Sequence, residues 1–197
     1  MRFSFARLFR RLGIHPMVLY SISSTAEIRT IETRIPVVSS EVTPKNVQDV
    51  RDMRDGPVGK KFRKFLAEGD TGLYAMLGTK VIGHVWSRVC TGDSLRVDGL
   101  LGLHRGEAII HFAMVREEYR GNNIYPYLLS VLSRKLFLED NVRRVSILAE
   151  ADNLPSRRGI EKAGFTRSGE LTRLPYHRLI EVWDSAFHAV FHSARNR

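Results

Sequence analysis

Cysteine is almost absent from this sequence, since Cys90 is the only one in 197 residues. A single thiol excludes an internal disulfide, and it cannot by itself build a disulfide framework or a thiolate zinc site. We therefore expect no structural metal. Long apolar runs are missing as well, because no stretch approaches the roughly eighteen residues of a membrane-spanning helix. The two absences together predict a protein of a reducing compartment, the cytoplasm.

Acidic side chains are outnumbered: 21 Asp and Glu stand against 31 Lys and Arg, which gives a net charge of +10. Such an excess attracts an anionic partner, but charge alone does not choose among nucleic acid, a lipid headgroup and a phosphorylated ligand. The aromatic residues form no alternating ridge with arginine, and no nucleic-acid motif is present. A basic nucleic-acid-binding module is therefore disfavoured, although it stays among the alternatives.

Residues 1–12 have the pattern of a basic amphipathic helix, with apolar residues on one stripe and arginines elsewhere. Such a helix binds an anionic membrane surface, or it docks on its own domain or on the second subunit of a homodimer. A mitochondrial presequence is a weaker alternative, suggested by the absence of acidic residues from the first 26 positions. Membrane binding would make the protein peripheral to the inner face of a membrane.

The hydrophobic patterns predict an α/β domain at 35–185, between an extension at 1–34 and a basic tail at 186–197. Predicted strands lie at 17–24, 35–42, 72–77, 80–90, 107–115, 144–149, 165–172 and 176–183. Predicted helices lie at 57–68, 124–139 and 153–162; Thr43-Pro44 marks a further helix start, and glycines indicate a long loop at 91–106. Strand and helix alternate between 107 and 172, and hairpins add antiparallel pairs. We therefore expect a central mixed sheet flanked by helices.

The turn between the strand 107–115 and the helix 124–139 is the most informative segment. It reads Arg120-Gly121-Asn122-Asn123 and leads directly into Ile124. The free amides and the positive dipole end of a helix start attract a phosphate or pyrophosphate, and an arginine adds a cation. Taken alone, the pattern is weak evidence for a phosphate site, because an ordinary surface turn that begins a helix has the same residues.

A second motif follows about thirty residues later, with Asn153 and Ser156 spaced three apart ahead of Glu161-Lys-Ala-Gly-Phe165. In combination the two segments resemble the GNAT superfamily of acyl-CoA-dependent N-acetyltransferases, over about residues 72–183. The resemblance implies the GNAT fold, in which the parallel strands 107–115 and 144–149 splay apart. It also implies acetyl-CoA as the acyl donor and a small-molecule amine as the acceptor.

The resemblance also implies which residues hold the donor. Main-chain groups of Met114 and Val115 would bind pantetheine, and Asn153 and Ser156 would face the cofactor arm. The pyrophosphate loop would comprise Arg120, Gly121, Asn122, Asn123, Ile124 and Tyr125. Two of these depart from the small residues of the family: asparagine tolerates glycine-like angles, whereas Tyr125 predicts a bulkier wall beside the diphosphate.

Acyl transfer to an amine needs a general base, because the acceptor arrives as an ammonium. Our first choice is His111, which lies four residues before Val115, where the arylalkylamine branch of the family carries a catalytic histidine. With a strand period of two, His111 would share a face with Glu107, Ile109 and Ala113. Glu107 and Glu150 are second choices, and a core histidine without catalytic function is the competing interpretation.

The oxyanion and the departing thiolate need donors as well. A backbone amide of Met114 or Val115 suits the oxyanion. The family commonly protonates the thiolate with a tyrosine seven residues after the helix asparagine, but that position here is Ile160. Tyr119, Tyr125 or Tyr127 would then replace it, or solvent would, or the protein binds acyl-CoA without efficient turnover.

The sequence as a whole predicts transfer of acetyl from acetyl-CoA to a primary amine by direct attack in a ternary complex. The acceptor would contact helix 57–68, the loop 91–106 and the Tyr176-His177 region, whose cations favour an anionic acceptor such as an amino sugar nucleotide. The alternatives are a longer-chain acyltransferase at a membrane surface, a non-catalytic acyl-CoA-binding protein and a basic nucleic-acid-binding protein.

Overall fold

The computed structural model describes residues 15–53, 58–97 and 101–173. Several predicted segments lie outside these residues: the helix 1–12, the strand 176–183 with the Tyr176-His177 region, and the tail 186–197. Among the helices of the described residues, none is both long enough and apolar enough to cross a membrane.

The described residues form nine strands, three α-helices and three short 3₁₀ turns. The strands are β1 (His15–Ile22), β2 (Val38–Glu41), β3 (Thr71–Leu77), β4 (Lys80–Val89), β5 (Ser94–Val97), β6 (Leu101–His104), β7 (Glu107–Val115), β8 (Arg144–Glu150) and β9 (Thr166–Arg173). The helices are α1 (Val58–Ala67), α2 (Ile124–Leu138) and α3 (Leu154–Lys162), and the 3₁₀ turns are Thr25–Glu27, Val47–Asp52 and Glu117–Tyr119.

Seven strands form one sheet in the order β2-β3-β4-β7-β8-β1-β9. Only the β7–β8 pair is parallel among the described strands, and the other neighbours run antiparallel, so the predicted mixed α/β sheet is confirmed. β1 lies between β8 and β9 and pairs with both. The sheet therefore includes residues that the predicted division at residue 35 assigns to an extension.

The parallel strands β7 and β8 pair only over their first halves. The ladder joins Glu107–Ile110 to Arg144–Ile147, while β7 continues to Val115 and β8 to Glu150. Over this second half β7 stays paired with β4, and Val115 lies opposite Gly83. The two strands thus diverge and leave an open edge on β7, as the predicted splay requires.

A β-bulge interrupts β7 at Phe112, whose φ is 45°. His111 pairs with Trp86 and Met114 with His84, so that Phe112 and Ala113 together oppose the single residue between them on β4. The prediction that Ala113 shares a face with His111 is wrong, because the extra residue shifts the alternation. Ala113 packs on the core beneath α2, and Phe112 packs in the core beneath α1.

Hydrophobic cores cover both faces of the sheet. On one face α2 and α3 pack with β1, β7 and β8, and Leu128, Leu132 and Val145 are fully buried there. On the opposite face α1 covers an aromatic cluster, which consists of Phe62, Phe65, Tyr74, Trp86 and Phe112 together with the ring of His84. This aromatic face adjoins His111, whose ring meets that of Phe65 edge-on at 4.9 Å between centroids.

Two local predictions are corrected by the structure, and a third is not tested by it. Residues 91–106 are not a long loop but contain the β5–β6 hairpin, because Leu103 packs with Cys90 and Ile109 and anchors it to the sheet. The helix predicted from Thr43 is a turn followed by a 3₁₀ segment, since the Asn46 side chain bonds the Thr43 amide and the Glu41 carbonyl. The strand 165–172 pairs with β1, whereas its predicted partner lies outside the described residues.

Candidate active site

A cavity of about 590 Å³ opens where β7 leaves β8. Its walls come from the end of β7, the turn before α2 and the exposed side of α3. It is lined by all the residues predicted to hold the cofactor except Asn122, namely Met114, Val115, Arg120, Gly121, Asn123, Ile124, Tyr125, Asn153 and Ser156. The structure thus brings together two segments about thirty residues apart in sequence.

Asn123 takes the glycine-like conformation that its place in the loop demands, with φ 60° and ψ 14° as the N-cap of α2. Its side chain is bound on both sides: Nδ2 donates to the carbonyl of Glu32 at 3.1 Å, and Oδ1 accepts from Lys162 Nζ at 2.8 Å. These bonds hold the left-handed backbone, which asparagine adopts more readily than most residues. The first departure from the family pattern therefore leaves the turn intact.

The turn presents free backbone amides to the cavity. Within the described part of the chain, no acceptor bonds the amides of residues 121–125, and the first helical bond runs from Tyr127 N to Asn123 O. Pro126, at the third helical position, has no amide to satisfy. Asn122 shapes the turn from outside, since its side chain donates to the Tyr119 carbonyl and its own carbonyl accepts from Arg34 N. Such an amide cluster is a binding site for an anion.

Tyr125, the second departure, is accommodated by Gly159 of α3. A Cβ on Gly159 would lie 2.6 Å from Cδ1 of the tyrosine ring, so the ring rests directly on the glycine backbone. The hydroxyl of Tyr125 lies 3.2 Å from Ser156 Oγ, and burial raises the pKa of Tyr125 to about 12. The bulk expected beside the diphosphate is therefore directed onto α3.

We expect Gly159→Ala to destabilise the protein by about 1 to 3 kcal/mol through overpacking against the ring. In an unobstructed helix the same change would stabilise by about 0.5 to 1 kcal/mol. Adding Tyr125→Ala removes the obstacle, so in that background Gly159→Ala should become neutral or stabilising. Urea unfolding of the four proteins measures this coupling. An equal cost in both backgrounds would show that the ring does not rest on Gly159.

Three cations surround the cavity: Arg120, Arg158 and Lys162. Arg120 is largely exposed and lies 3.7 Å from Glu117, which leaves most of its guanidinium open to a ligand. Arg158 and Lys162 are site residues that were not predicted from the sequence. The i,i+4 spacing of these two residues on the helix that carries Ser156 is the signal that could have found them.

His111 lies at the bulge of β7, with a side chain that is 22% exposed. Its Nε2 is 3.1 Å from Oδ2 of Asp70, a carboxylate with no exposed side-chain surface. Arg88 holds the same carboxylate through two bonds, from Nε to Oδ1 at 2.6 Å and from Nη2 to Oδ2 at 2.8 Å. Burial alone would raise the pKa of Asp70, but the hydrogen bonds from His111 and Arg88 outweigh it and keep this pKa lowered.

The other two candidate bases lie apart from this group. Glu107 is buried at the start of β7, where it pairs with Arg144 at 2.8 Å and accepts a bond from the His104 amide. Six residues of β7 lie between it and Met114, a separation of at most about 23 Å at 3.3 Å per residue in a fully extended strand. Glu150 ends β8, 3.5 Å from His15 Nδ1, and does not line the cavity. His111 does not line the cavity either, but of the three candidates it alone lies at the bulge of β7, three residues before Met114.

The tyrosines that are candidates to protonate the thiolate differ in whether they line the cavity. Tyr119 and Tyr125 line the cavity, whereas Tyr127 packs against the core. Ile160, at the position of the usual family tyrosine, is fully buried in that core. Among the described tyrosines, Tyr119 and Tyr125 are thus the two that line the cavity.

A gap between parallel strands that faces a helix start is suited to an extended, phosphorylated ligand. The model of the acetyltransferase (GNAT) family matches residues 34–165, which is more than half of the chain. The chain therefore belongs to the GNAT acetyltransferase family, whose acyl donor is acetyl-CoA. Comparison with curated proteins finds no significant match.

Solved structures show the same fold at low sequence identity. A GNAT acetyltransferase from Novosphingobium aromaticivorans has a TM-score of 0.56 at 11% identity, over 81% of this chain and 62% of that one. A GNAT acetyltransferase from Colwellia psychrerythraea has a TM-score of 0.57 at 13% identity, over 81% of this chain and 55% of that one. An aminoglycoside acetyltransferase in complex with coenzyme A has a TM-score of 0.53 at 19% identity, over 71% of this chain and 95% of that one. This chain thus spans less than two thirds of the first two proteins.

Proposed function

We propose that the protein is an N-acetyltransferase that moves an acetyl group from acetyl-CoA to a primary amine of a small, anionic acceptor. The cavity at the divergence of β7 and β8 carries the proposal, because it combines an open strand edge, free helix-start amides and three cations. Acetyl-CoA would supply the acetyl group as a thioester.

Different residues around the cavity would bind the diphosphate and the pantetheine arm of acetyl-CoA. The amides of the turn 121–125 and the side chain of Arg120 would bind the diphosphate, and Arg158 and Lys162 add positive charge beside it. The open edge of β7 at Met114 and Val115 would bond pantetheine as a neighbouring strand would. The amide of one of these two residues would also stabilise the oxyanion, because successive amides of a strand point to opposite edges.

The acceptor would approach over the α1 face of the sheet, where His111 lies. There His111 would remove the proton from the ammonium, and Tyr119 would protonate the thiolate from the cavity side. Lys61 of α1 stands 3.6 Å above the ring of Phe112, next to His111 in sequence. Lys60, Arg63 and Lys64 add charge on the exposed side of α1, and this favours an acceptor that carries a carboxylate or phosphate.

Arg120→Ala should weaken coenzyme A binding by about ten- to a hundredfold, since a charge-assisted bond to phosphate contributes about 1.5 to 3 kcal/mol. Binding of pantetheine, which lacks the diphosphate, should change little. Calorimetric titration of both ligands measures the difference. Arg167→Ala is the matched control, because Arg167 is exposed on β9 and does not line the cavity. Equal losses for both ligands would show that Arg120 supports the fold and does not contact phosphate.

The burial of Ile160 favours one second candidate, a non-catalytic acyl-CoA-binding protein, because the usual family acid is missing. Calorimetric titration with acetyl-CoA, followed by thiol-release assays over a panel of amines, separates the two. Saturable binding with amine-dependent thiol release supports the acetyltransferase. Saturable binding without release from any amine supports the second candidate, and an absence of binding contradicts both.

A further inference from the structure

Asp70 is delivered to His111 by the end of α1. The chain leaves the helix through Gly69, whose φ of 80° suits the left-handed turn that closes many helices. The Asp70 amide bonds the carbonyl of Phe65 at 2.9 Å, and β3 begins at the next residue. The carboxylate is therefore fixed by backbone geometry at the junction of α1 and β3, and no solvent reaches its side chain.

Arg88 fixes the orientation of that carboxylate. Its Nε and Nη2 approach the two oxygens of Asp70 as a fork, and its guanidinium also bonds Glu68. A planar guanidinium that bonds both oxygens restricts rotation of the carboxylate plane. Oδ2 consequently faces His111 Nε2 in a defined direction.

The contact determines where the imidazole carries its proton. A carboxylate can only accept hydrogen bonds, and Arg88 at 2.6 and 2.8 Å keeps Asp70 ionised, so Nε2 of His111 must be the donor. The neutral ring then has its lone pair on Nδ1. Within the described part of the chain Nδ1 has no hydrogen-bond partner, and it is not among the buried unpaired atoms. The edge-on ring of Phe65 limits rotation of the imidazole.

We propose that Asp70, held by Arg88, is a positioning residue that keeps neutral His111 in the Nε2–H tautomer and presents the Nδ1 lone pair to the acceptor ammonium. The inference rests on the proposed function, in which His111 is the base. In the proton transfer the N–H bond of the ammonium breaks, its electron pair stays on nitrogen, and the proton binds Nδ1. Asp70 then stabilises the imidazolium, which returns the proton to solvent from Nδ1.

Asp70→Asn tests this role with little change in volume. Whichever way the new amide is oriented, its nitrogen faces one of the two Arg88 donors, and the negative charge beside His111 Nε2 is lost. Nothing then fixes the proton on Nε2 or stabilises the imidazolium that forms in the transfer. We expect a fall in kcat of about 10² to 10⁴, with the KM for acetyl-CoA nearly unchanged. Asp140→Asn, at an exposed aspartate just beyond the end of α2 and away from the cavity, is the matched control.

Nitrogen-15 NMR of histidine-labelled protein reads the tautomer directly and does not depend on activity. In the wild-type protein we expect His111 with protonated Nε2 and unprotonated Nδ1, and in Asp70→Asn a loss of this preference, with both tautomers present. A wild-type His111 protonated on Nδ1 overturns the proposal even if the variant fails to fold. An active wild-type protein with unchanged kcat in Asp70→Asn overturns the positioning role alone. A wild-type protein that binds acetyl-CoA but transfers nothing overturns the proposed function, whatever the tautomer.

Discussion

Replacing His111 with glutamine is expected to lower the rate of acyl transfer by about 10² to 10⁴, because the acceptor ammonium then loses its proton acceptor. Glutamine can still donate a bond to Asp70, which would otherwise be left as a buried charge with one partner fewer. Acetyl-CoA affinity and thermal stability should therefore change little. Steady-state kinetics, calorimetric titration and thermal unfolding of the same preparation measure the three quantities.

His104→Gln is the matched control for this substitution, because His104 is an exposed histidine of β6. It should leave the rate of transfer unchanged. Normal turnover in the His111 variant would place the base elsewhere, with Glu150 and then Glu107 as the next residues to replace. Parallel loss of stability and activity would instead identify His111 as a core histidine without a catalytic role.

Acidification is expected to destabilise the protein through His84, whose burial lowers its pKa to about 4. A hydrogen bond with the backbone of Phe112 opposes this shift, and the charge of Lys61 adds to it. The unfolded chain binds the proton near pH ~6.5, so stability is complete above that pH and is lost as the pH falls towards 4. The loss amounts to about 3 kcal/mol, from roughly 1.4 kcal/mol for each pKa unit.

Urea unfolding at a series of pH values between about 7.5 and 4 measures this dependence. His84→Phe keeps an aromatic ring between Phe62 and Phe112 and should flatten the decline, whatever its effect on stability at neutral pH. In the His104→Gln variant, which changes an exposed histidine, the free energy of unfolding should fall with pH as it does in the wild-type protein. An identical slope in His84→Phe and the wild-type protein would show that the buried imidazole is not the group that titrates.

The residues that line the cavity could be predicted from sequence because the determinants of their turn are local. A turn rich in asparagine and glycine before an amphipathic helix shows both the free amides and the left-handed backbone, and Asn123 adopts that backbone. The splay of β7 and β8 followed from the resemblance alone, since no pattern within either strand reveals where pairing stops. The Tyr125–Gly159 contact could not be predicted, because it joins two helices whose packing depends on the whole sheet.

The surroundings of His111 depend on long-range pairing, and less of them could be predicted. His111 was selected by its register, but Asp70, which contacts His111, and Arg88, which contacts Asp70, come from different elements and carry no motif. The bulge at Phe112 could not be predicted from the two-residue alternation of a strand. A single inserted residue with positive φ changes the face of every residue after it. The β5–β6 hairpin was missed since its glycines resemble loop residues, while one buried leucine, Leu103, anchors it.

Thiol release from acetyl-CoA in the presence of a panel of primary amines tests the acetyltransferase proposal most directly. The panel should include amino sugars with and without a phosphate or carboxylate, and mass spectrometry should detect the acetylated amine. We predict release that depends on the amine, equals the amount of acetylated product, favours the anionic acceptors and is lost in His111→Gln. Saturable binding of acetyl-CoA without amine-dependent release from any member of the panel would contradict the proposal.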